Sequence, residues 1–361
     1  MTVKKGDFTN LLLKWHKKEN FRAMPWKGEK NPYRIWLSEV ILQQTRVEQG
    51  WAYYEKFITT FPTIEDLARA PDQKVFKCWE GLGYYSRCRN LIATARKIAD
   101  DYGGKFPADY ETILALKGIG PYTAAAIASF AFNLPHAVVD GNVLRVLSRY
   151  TGDATPIDST AGKKKYTALA GQLLDKEQPG TYNQAIMDFG AMICRPQNPL
   201  CTTCIQRDRC QAYGSERVGE LPIKEKVLHK KRRWFYYFMV ETPDGQVYIR
   251  RREKGDIWAD LFELVGWESK EPVYPEDILK GDLAARVFGT QSLTVRYISK
   301  VYRQELTHQS IQGQFFTIHL KKPLTSLKDY LLVDKKKLSD YPFPKFINAW
   351  LLDPTPAQSL F

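Results

Sequence analysis

Four cysteines fall within one short segment, Cys194-x6-Cys201-x2-Cys204-x5-Cys210, and no other feature constrains this chain as strongly. Thiols packed so closely call for a metal centre or for disulfides. The remaining cysteines, Cys78 and Cys88, read as small buried hydrophobes on helices. Six cysteines in 361 residues do not make a secreted disulfide scaffold. Zinc sites usually show two close cysteine pairs, and here there is one. An iron–sulfur cluster accepts uneven loops because it is larger than a single ion. The spacing leans toward a cluster and leaves zinc open.

Charge narrows the partner. Lys and Arg number 53 against 40 Asp and Glu, a net charge of +13. That excess suits a polyanion, nucleic acid before an anionic membrane surface. A hydrophobic share of 44% with 26% charged residues belongs to a folded chain rather than a disordered one. The longest apolar stretch, around Ala124–Phe132, is far short of the roughly 20 residues that span a bilayer. No secretory signal is visible at the N-terminus, so the expectation is a cytosolic protein of two domains.

From Asp7 to about Asp188 the text reads as helices. Asn31-Pro32 opens one with a cap and a first-turn proline, and Ile35, Trp36, Val40 and Ile41 follow helical spacing. Thr63 with Asp66 reads as a capping pattern. A helix over Ser86–Asp101 should stop at Gly103-Gly104. Around Gly118-Ile119-Gly120 one helix should end at Gly118 and the next start at Pro121. A further helix follows Asp140. Residues 217–233, with Lys224, Lys226, Lys230, Lys231, Arg232 and Arg233, read as a basic linker. Beyond it the period becomes that of strands: Trp234–Glu241 and Gln246–Arg251 as a hairpin about Pro243-Asp244-Gly245, then Leu293–Tyr302 and Gly313–Leu320, and a closing helix over Lys345–Leu352. The expected fold is multidomain: an all-α domain over 1–216, the linker, and an α+β domain over 234–361.

The segment Leu116-Lys117-Gly118-Ile119-Gly120-Pro121-Tyr122-Thr123-Ala124 joins two helices through a glycine hairpin. Such a turn presents backbone N–H groups beside a helix N-terminus, which suits a DNA phosphate. A plain helical corner explains it as well.

This hairpin, then Val139-Asp140-Gly141-Asn142-Val143, then the four-cysteine loop, resemble in that order the helix–hairpin–helix DNA glycosylases of the endonuclease III superfamily. Trp36-Leu37-Ser38-Glu39-Val40-Ile41-Leu42-Gln43-Gln44-Thr45 and Gly81-Leu82-Gly83-Tyr84-Tyr85 narrow the resemblance to the adenine DNA glycosylases of the MutY type. Phe106-Pro107 and Met187-Asp188-Phe189-Gly190-Ala191-Met192-Ile193-Cys194 continue it, so it covers nearly the whole first domain. The resemblance implies a 4Fe–4S cluster on Cys194, Cys201, Cys204 and Cys210. It also implies a substrate: duplex DNA carrying adenine opposite 8-oxoguanine or guanine, met by a monomer in the bacterial cytosol, at the nucleoid.

Excision of a stacked adenine requires flipping it out of the helix. Bond cleavage then needs a proton for the base and negative charge near the oxocarbenium-like sugar, which two carboxyl groups of different pKa can supply. The resemblance gives the first role to Glu39 and the second to Asp140, with Asn142 orienting Asp140. Read blandly, Glu39 is a solvated residue beside an apolar stripe and Asp140 a helix cap. Bifunctional lyases of the superfamily carry a Schiff-base lysine where this chain has Tyr122, so the resemblance implies hydrolysis without β-elimination.

Family pattern further places Arg22, Met24, Trp26, Lys27 and Gln184 around the adenine. Gln44, Thr45, Leu82, Gly83 and Tyr84 should meet the duplex gap and the partner base, and Gly118 and Gly120 the phosphates. A tyrosine wedge replaces lost base stacking. The second domain resembles the Nudix-like domain that recognises 8-oxoguanine in this family, with Ile257–Leu264 as its opening strand. The acidic signature of a metal-dependent Nudix hydrolase is missing. Where many relatives carry Phe-Ser-His, this chain has Leu306-Thr307-His308, which keeps the hydroxyl of Thr307 and the imidazole of His308. The competing readings are a bifunctional lyase and a non-catalytic damage-binding protein.

Overall fold

In the computed structural model, residues 5–225, 230–280, 282–289 and 294–354 are described. Lys226 of the linker, Leu293 and the first four residues lie outside them. The chain forms two compact units. One takes residues up to Ala70 and from Ser86 to the linker; the other takes Pro71–Tyr85 and the chain after the linker. The sequence reading places Pro71–Tyr85 within the helical region, yet it folds with the strand-rich unit.

The first unit is helical: α1 (Lys5–Glu19), α2 (Pro32–Leu42), α3 (Val47–Thr60), α4 (Ile64–Arg69), α6 (Tyr85–Asp101), α7 (Tyr110–Leu114), α8 (Pro121–Phe132), α9 (Gly141–Thr151), α10 (Thr160–Leu173), α11 (Pro179–Met192) and the short α12 (Gln211–Gly214), with α5 (Asp72–Trp79) belonging to the other unit. Caps act where the sequence signals them. The Asn31 side chain accepts from Tyr33 N at 2.9 Å ahead of Pro32, and Thr63 with Asp66 closes a reciprocal capping box. Phe8, Leu12 and Trp15 of α1 pack with Val146 and Leu147 of α9, Tyr166 and Leu173 of α10, and Ile186 and Phe189 of α11. Residues Thr123–Ser129 of α8 are all buried, so that helix is apolar on nearly every side and lies inside the unit against α2 and α11.

The helix expected to run to Gly118 stops at Leu114. Tight turns follow, Leu116 N to Ile113 O at 3.1 Å and Ile119 N to Leu116 O at 3.1 Å. Gly118 sits at φ +77, where a Cβ would come within 2.5 Å of the Asn90 Cβ. Conformation and space both require glycine there.

In the second unit, β1 (Lys231–Glu241), β2 (Gln246–Arg251), β3 (Phe262–Ser269), β4 (Thr294–Ile298), β5 (Tyr302–Glu305), β6 (Gln309–His319) and β7 (Leu331–Asp334) form one sheet in the order β4-β6-β1-β3-β2-β7, with β5 on β6. The β1–β6 pair is parallel, from Lys231↔Gln309 to Glu241↔His319. Tyr236, Phe238 and Val240 face one core with Phe316, Ile318 and residues of α13 (Pro275–Lys280) and α14 (Asp282–Phe288). Phe235 and Tyr237 stack on each other on the opposite face, where Tyr237 meets Phe346 of α15 (Lys345–Leu351). A strand buried on both faces loses the simple alternation of a half-exposed one.

Several expectations shift here. β1 begins at Lys231, inside the expected linker, and Arg233 is buried against Asp256 at 2.6 Å and Glu268 at 2.5 Å rather than solvated. The expected hairpin partners meet at the turn, Glu241↔Val247, but β3 then separates β1 from β2. The long strand expected to end at Tyr302 breaks at Ser299, whose hydroxyl accepts from Phe315 N at 2.9 Å. In the Ile257–Leu264 stretch, Trp258 and Asp260 have positive φ, 61° and 69°, and the strand starts only at Phe262.

Candidate active site

Within the helical unit, a cavity of about 400 Å³ opens among α2, α8, α9 and α11. That size lies in the range of pockets that hold a small ligand or a nucleobase. Arg22, Met24, Trp26, Lys27 and Gln184 all line it, together with Glu39, Thr45, Tyr122, Asp140 and Asn142. Sequence positions spread over more than 160 residues thus converge on one concave site.

Glu39 lies in the middle of α2 and is 6% exposed. Burial pushes its carboxyl up to about 7, reinforced by the nearby Asp140 charge and opposed by a hydrogen bond from the Tyr122 hydroxyl. It is not the solvated residue of the bland reading. Asp140 is both cap and cavity wall. One of its oxygens accepts from Val143 N at 2.7 Å, and the other accepts from Asn142 Nδ2 at 2.8 Å. Burial raises its pKa too, but these two donors and Arg145 pull against the rise. Among the described residues, the Tyr122 hydroxyl is the one donor to the Glu39 carboxyl. Donors thus converge on the Asp140 carboxylate, while burial dominates at Glu39, so of the two Glu39 is the better placed to hold a proton.

Tyr122 sits in the first turn of α8, directly after the glycine hairpin. Its hydroxyl is held far above its ordinary pKa by burial and by both carboxylates, so it stays a neutral donor. Gly120 caps α8 at φ −95, with open space where a Cβ would lie. A phosphate oxygen can approach that backbone closely.

The four cysteines line a second, small cavity, with Ile193, Pro199, Leu200 and Val218 as apolar walls. Burial and mutual repulsion raise the thiols of Cys201, Cys204 and Cys210, Cys204 to about 11. Arg149, 3% exposed, donates toward Cys194 Sγ at 3.5 Å. Among the described residues no three acidic, histidine or cysteine side chains are gathered tightly enough for one ion. The four thiols of Cys194, Cys201, Cys204 and Cys210 border one shared space, a donor set that would fit a group larger than one ion.

In the strand-rich unit, Thr307 and His308 form the turn between β5 and β6, closed by Leu306 N to Gln309 O at 2.8 Å. The Tyr84 hydroxyl is hydrogen-bonded to the Thr307 hydroxyl. Tyr84 remains 41% exposed, whereas Leu82 is 6% exposed. Gln44, which the sequence groups with them, belongs to the helical unit and takes a positive φ of 58°.

A family model for the HhH-GPD superfamily of base excision DNA repair proteins matches residues 37–167, and a NUDIX domain model matches residues 236–352. The adenine DNA glycosylase of Buchnera aphidicola subsp. Baizongia pistaciae is 35% identical over 259 residues, 71% of this chain and 72% of that protein. The chain belongs to the adenine DNA glycosylase family. The adenine DNA glycosylase of Mus musculus is 42% identical over 223 residues, covering 59% of this chain and 43% of that one. Among solved structures, a thermostable thymine-DNA glycosylase is similar with a TM-score of 0.55 and 31% identity, over 59% of this chain and 97% of that one. Endonuclease III in a non-covalent DNA complex shares the fold, with a TM-score of 0.50 and 22% identity over 60% of this chain and 99% of that one.

Two residues of this adenine DNA glycosylase family member carry more than the sequence reading gave them. Asp188, fully buried, pairs with Arg22 at 2.9 Å and Lys27 at 3.4 Å and so fixes two cations at the cavity wall. Arg145, 8% exposed, donates to Asn142 Oδ1 at 2.8 Å and to the backbone oxygen of Cys194 at 2.8 Å. Its spacing, three residues beyond Asn142, puts both on one face of α9 and was the available signal.

Proposed function

We propose that the chain is a monofunctional adenine DNA glycosylase of base excision repair, acting on adenine opposite 8-oxoguanine or guanine in duplex DNA. The observation that carries this reading is one cavity whose wall holds both a carboxyl with a pKa near neutrality, Glu39, and a carboxylate fixed by hydrogen bonds, Asp140. The flipped adenine enters among Arg22, Met24, Trp26, Lys27 and Gln184. Glu39 gives its proton to the departing base, and Tyr122 holds the Glu39 carboxyl in place. Asp140, kept ionised by Val143 N and Asn142, stabilises the sugar cation until water adds. No amine stands at position 122 to form a Schiff base, so the products are free adenine and an intact abasic strand.

A 4Fe–4S cluster on the four cysteines belongs to this reading and supplies a rigid cross-link for the loop over residues 194–210. Thr307, His308 and Tyr84 are assigned to the partner-base strand. A cytoplasmic location beside bacterial DNA goes with such a substrate; no described helix is long and apolar enough to cross a membrane. The test is adenine release from an A:8-oxoguanine duplex under single-turnover conditions. An A:G duplex, with and without Thr307→Ala, reports the part played by the second domain. Absence of release from either duplex overturns the reading.

A further inference from the structure

The loop that carries Tyr84 is held in a costly conformation. Gly81, Gly83 and Tyr84 all have positive φ, 90°, 79° and 47°. For tyrosine this region persists only where the surroundings over-determine it. Inside the segment, the Trp79 indole donates to Gly83 O at 2.9 Å, and Gly81 N donates to the Tyr85 hydroxyl at 3.2 Å.

Further hold comes from the C-terminal part of the same unit. Gln73 Nε2 donates to Asp340 O at 3.1 Å, and Lys77 Nζ donates to Tyr341 O at 3.3 Å. One oxygen of Glu80 accepts from both Phe343 N and Asn348 Nδ2, each at 2.8 Å. Its other oxygen pairs with Lys77 at 2.5 Å. Glu80 thus immediately precedes the strained loop and is its densest point of attachment to residues 340–348. Bonds to an ionised acceptor are the stronger kind, so of these four bonds to residues 340–348 the two to Glu80 weigh most.

We propose that Glu80 is a positioning residue that fixes the Leu82–Tyr84 loop to the C-terminal domain, so that this domain sets lesion preference through the loop as well as through Thr307 and His308. The inference rests on the reading of Tyr84 as the residue that stacks into the duplex. It makes the C-terminal domain the carrier of the wedge, although the wedge precedes most of the helical domain in sequence.

Full-length protein tests it with duplexes carrying 2-aminopurine beside the 8-oxoguanine, whose fluorescence reports stacking by an inserted ring. Glu80→Ala should lower the single-turnover preference for A:8-oxoguanine over A:G about tenfold, in line with loss of two charge-assisted bonds, and should alter the fluorescence change on binding. Glu80→Gln keeps an acceptor oxygen and should restore most of both. Asn348→Ala removes one bond, gives a smaller change in the same direction, and carries the test if Glu80→Ala does not fold. Tyr84→Ala separates the two layers. If it abolishes preference and signal while Glu80→Ala and Asn348→Ala leave both unchanged, the positioning role is wrong and the wedge stands. If Tyr84→Ala changes neither, the wedge reading fails and takes this inference with it.

Discussion

The Asn142 side chain bridges Asp140 and Arg145: its amide donates to Asp140 Oδ2 at 2.8 Å, and its oxygen accepts from Arg145 Nη2 at 2.8 Å. Arg145 fixes which end of the amide faces the carboxylate, because only the oxygen can accept from a guanidinium. Asn142→Ala removes the side-chain donor to Asp140 and leaves the backbone donors of Val143 and residue 142. The expected loss is about 1–2 kcal/mol of transition-state stabilisation, roughly five- to thirtyfold in single-turnover rate. An unchanged rate would mean that the backbone donors alone suffice.

Glu39 gives stability up in exchange for its protonation. Its folded pKa, about 7, lies above that of a free glutamate because burial penalises the charge. Below pH 4 the group is protonated in folded and unfolded chains alike and costs nothing. As pH rises toward 7 the unfolded chain releases its proton first, and stability falls; above 7 the penalty is complete at about 3 kcal/mol. Glu39→Gln should therefore raise the melting temperature at pH 8 and leave it nearly unchanged at pH 4. Scanning calorimetry at the two pH values checks this.

That behaviour was only half legible in the sequence. Ile35, Trp36, Val40 and Ile41 mark the buried face of α2, and Asn31-Pro32 marks its start. Glu39 lies between those apolar positions, but whether its side chain meets solvent depends on α8 and α9, more than 80 residues away. The Asp140 cap was visible for the same local reason as Asn31. Arg233 shows the opposite limit: in a run of basic residues it reads as solvated, while its partners Asp256 and Glu268 lie 23 and 35 residues on, where only sheet pairing brings them near. The place of β3 between β1 and β2, and of Pro71–Tyr85 with the strands, is likewise set by long-range packing that turn chemistry does not encode.

With a phenol at position 122 in place of an amine, the proposed reaction is hydrolysis alone. Borohydride should trap little wild-type protein on DNA, since a phenol cannot form an imine with the sugar. Tyr122→Lys places an amine beside both carboxylates and should trap several-fold more. Strong trapping by the wild type would identify another lysine as nucleophile; Lys27, which lines the same cavity, is then the first to replace.

The cysteine loop makes a compositional prediction. Purified protein should be brown and contain iron and sulfide with little zinc. Cys204→Ser should lower iron content and release the loop over residues 194–210, seen as faster hydrogen exchange there. A colourless, zinc-loaded and active preparation would remove the cluster from the account.

In the proposed chemistry Glu39 and Asp140 act together, one as acid and one as anion, on a base held in the cavity that both line. Single-turnover adenine release from an A:8-oxoguanine duplex tests it directly, across pH 5–9 and in Glu39→Gln and Asp140→Asn. The wild-type rate should be highest below pH 7 and fall about tenfold per unit above it as Glu39 loses its proton. Each variant should be slower by about a thousandfold or more while still binding the mispair. A variant rate close to that of the wild type would contradict the pairing of roles.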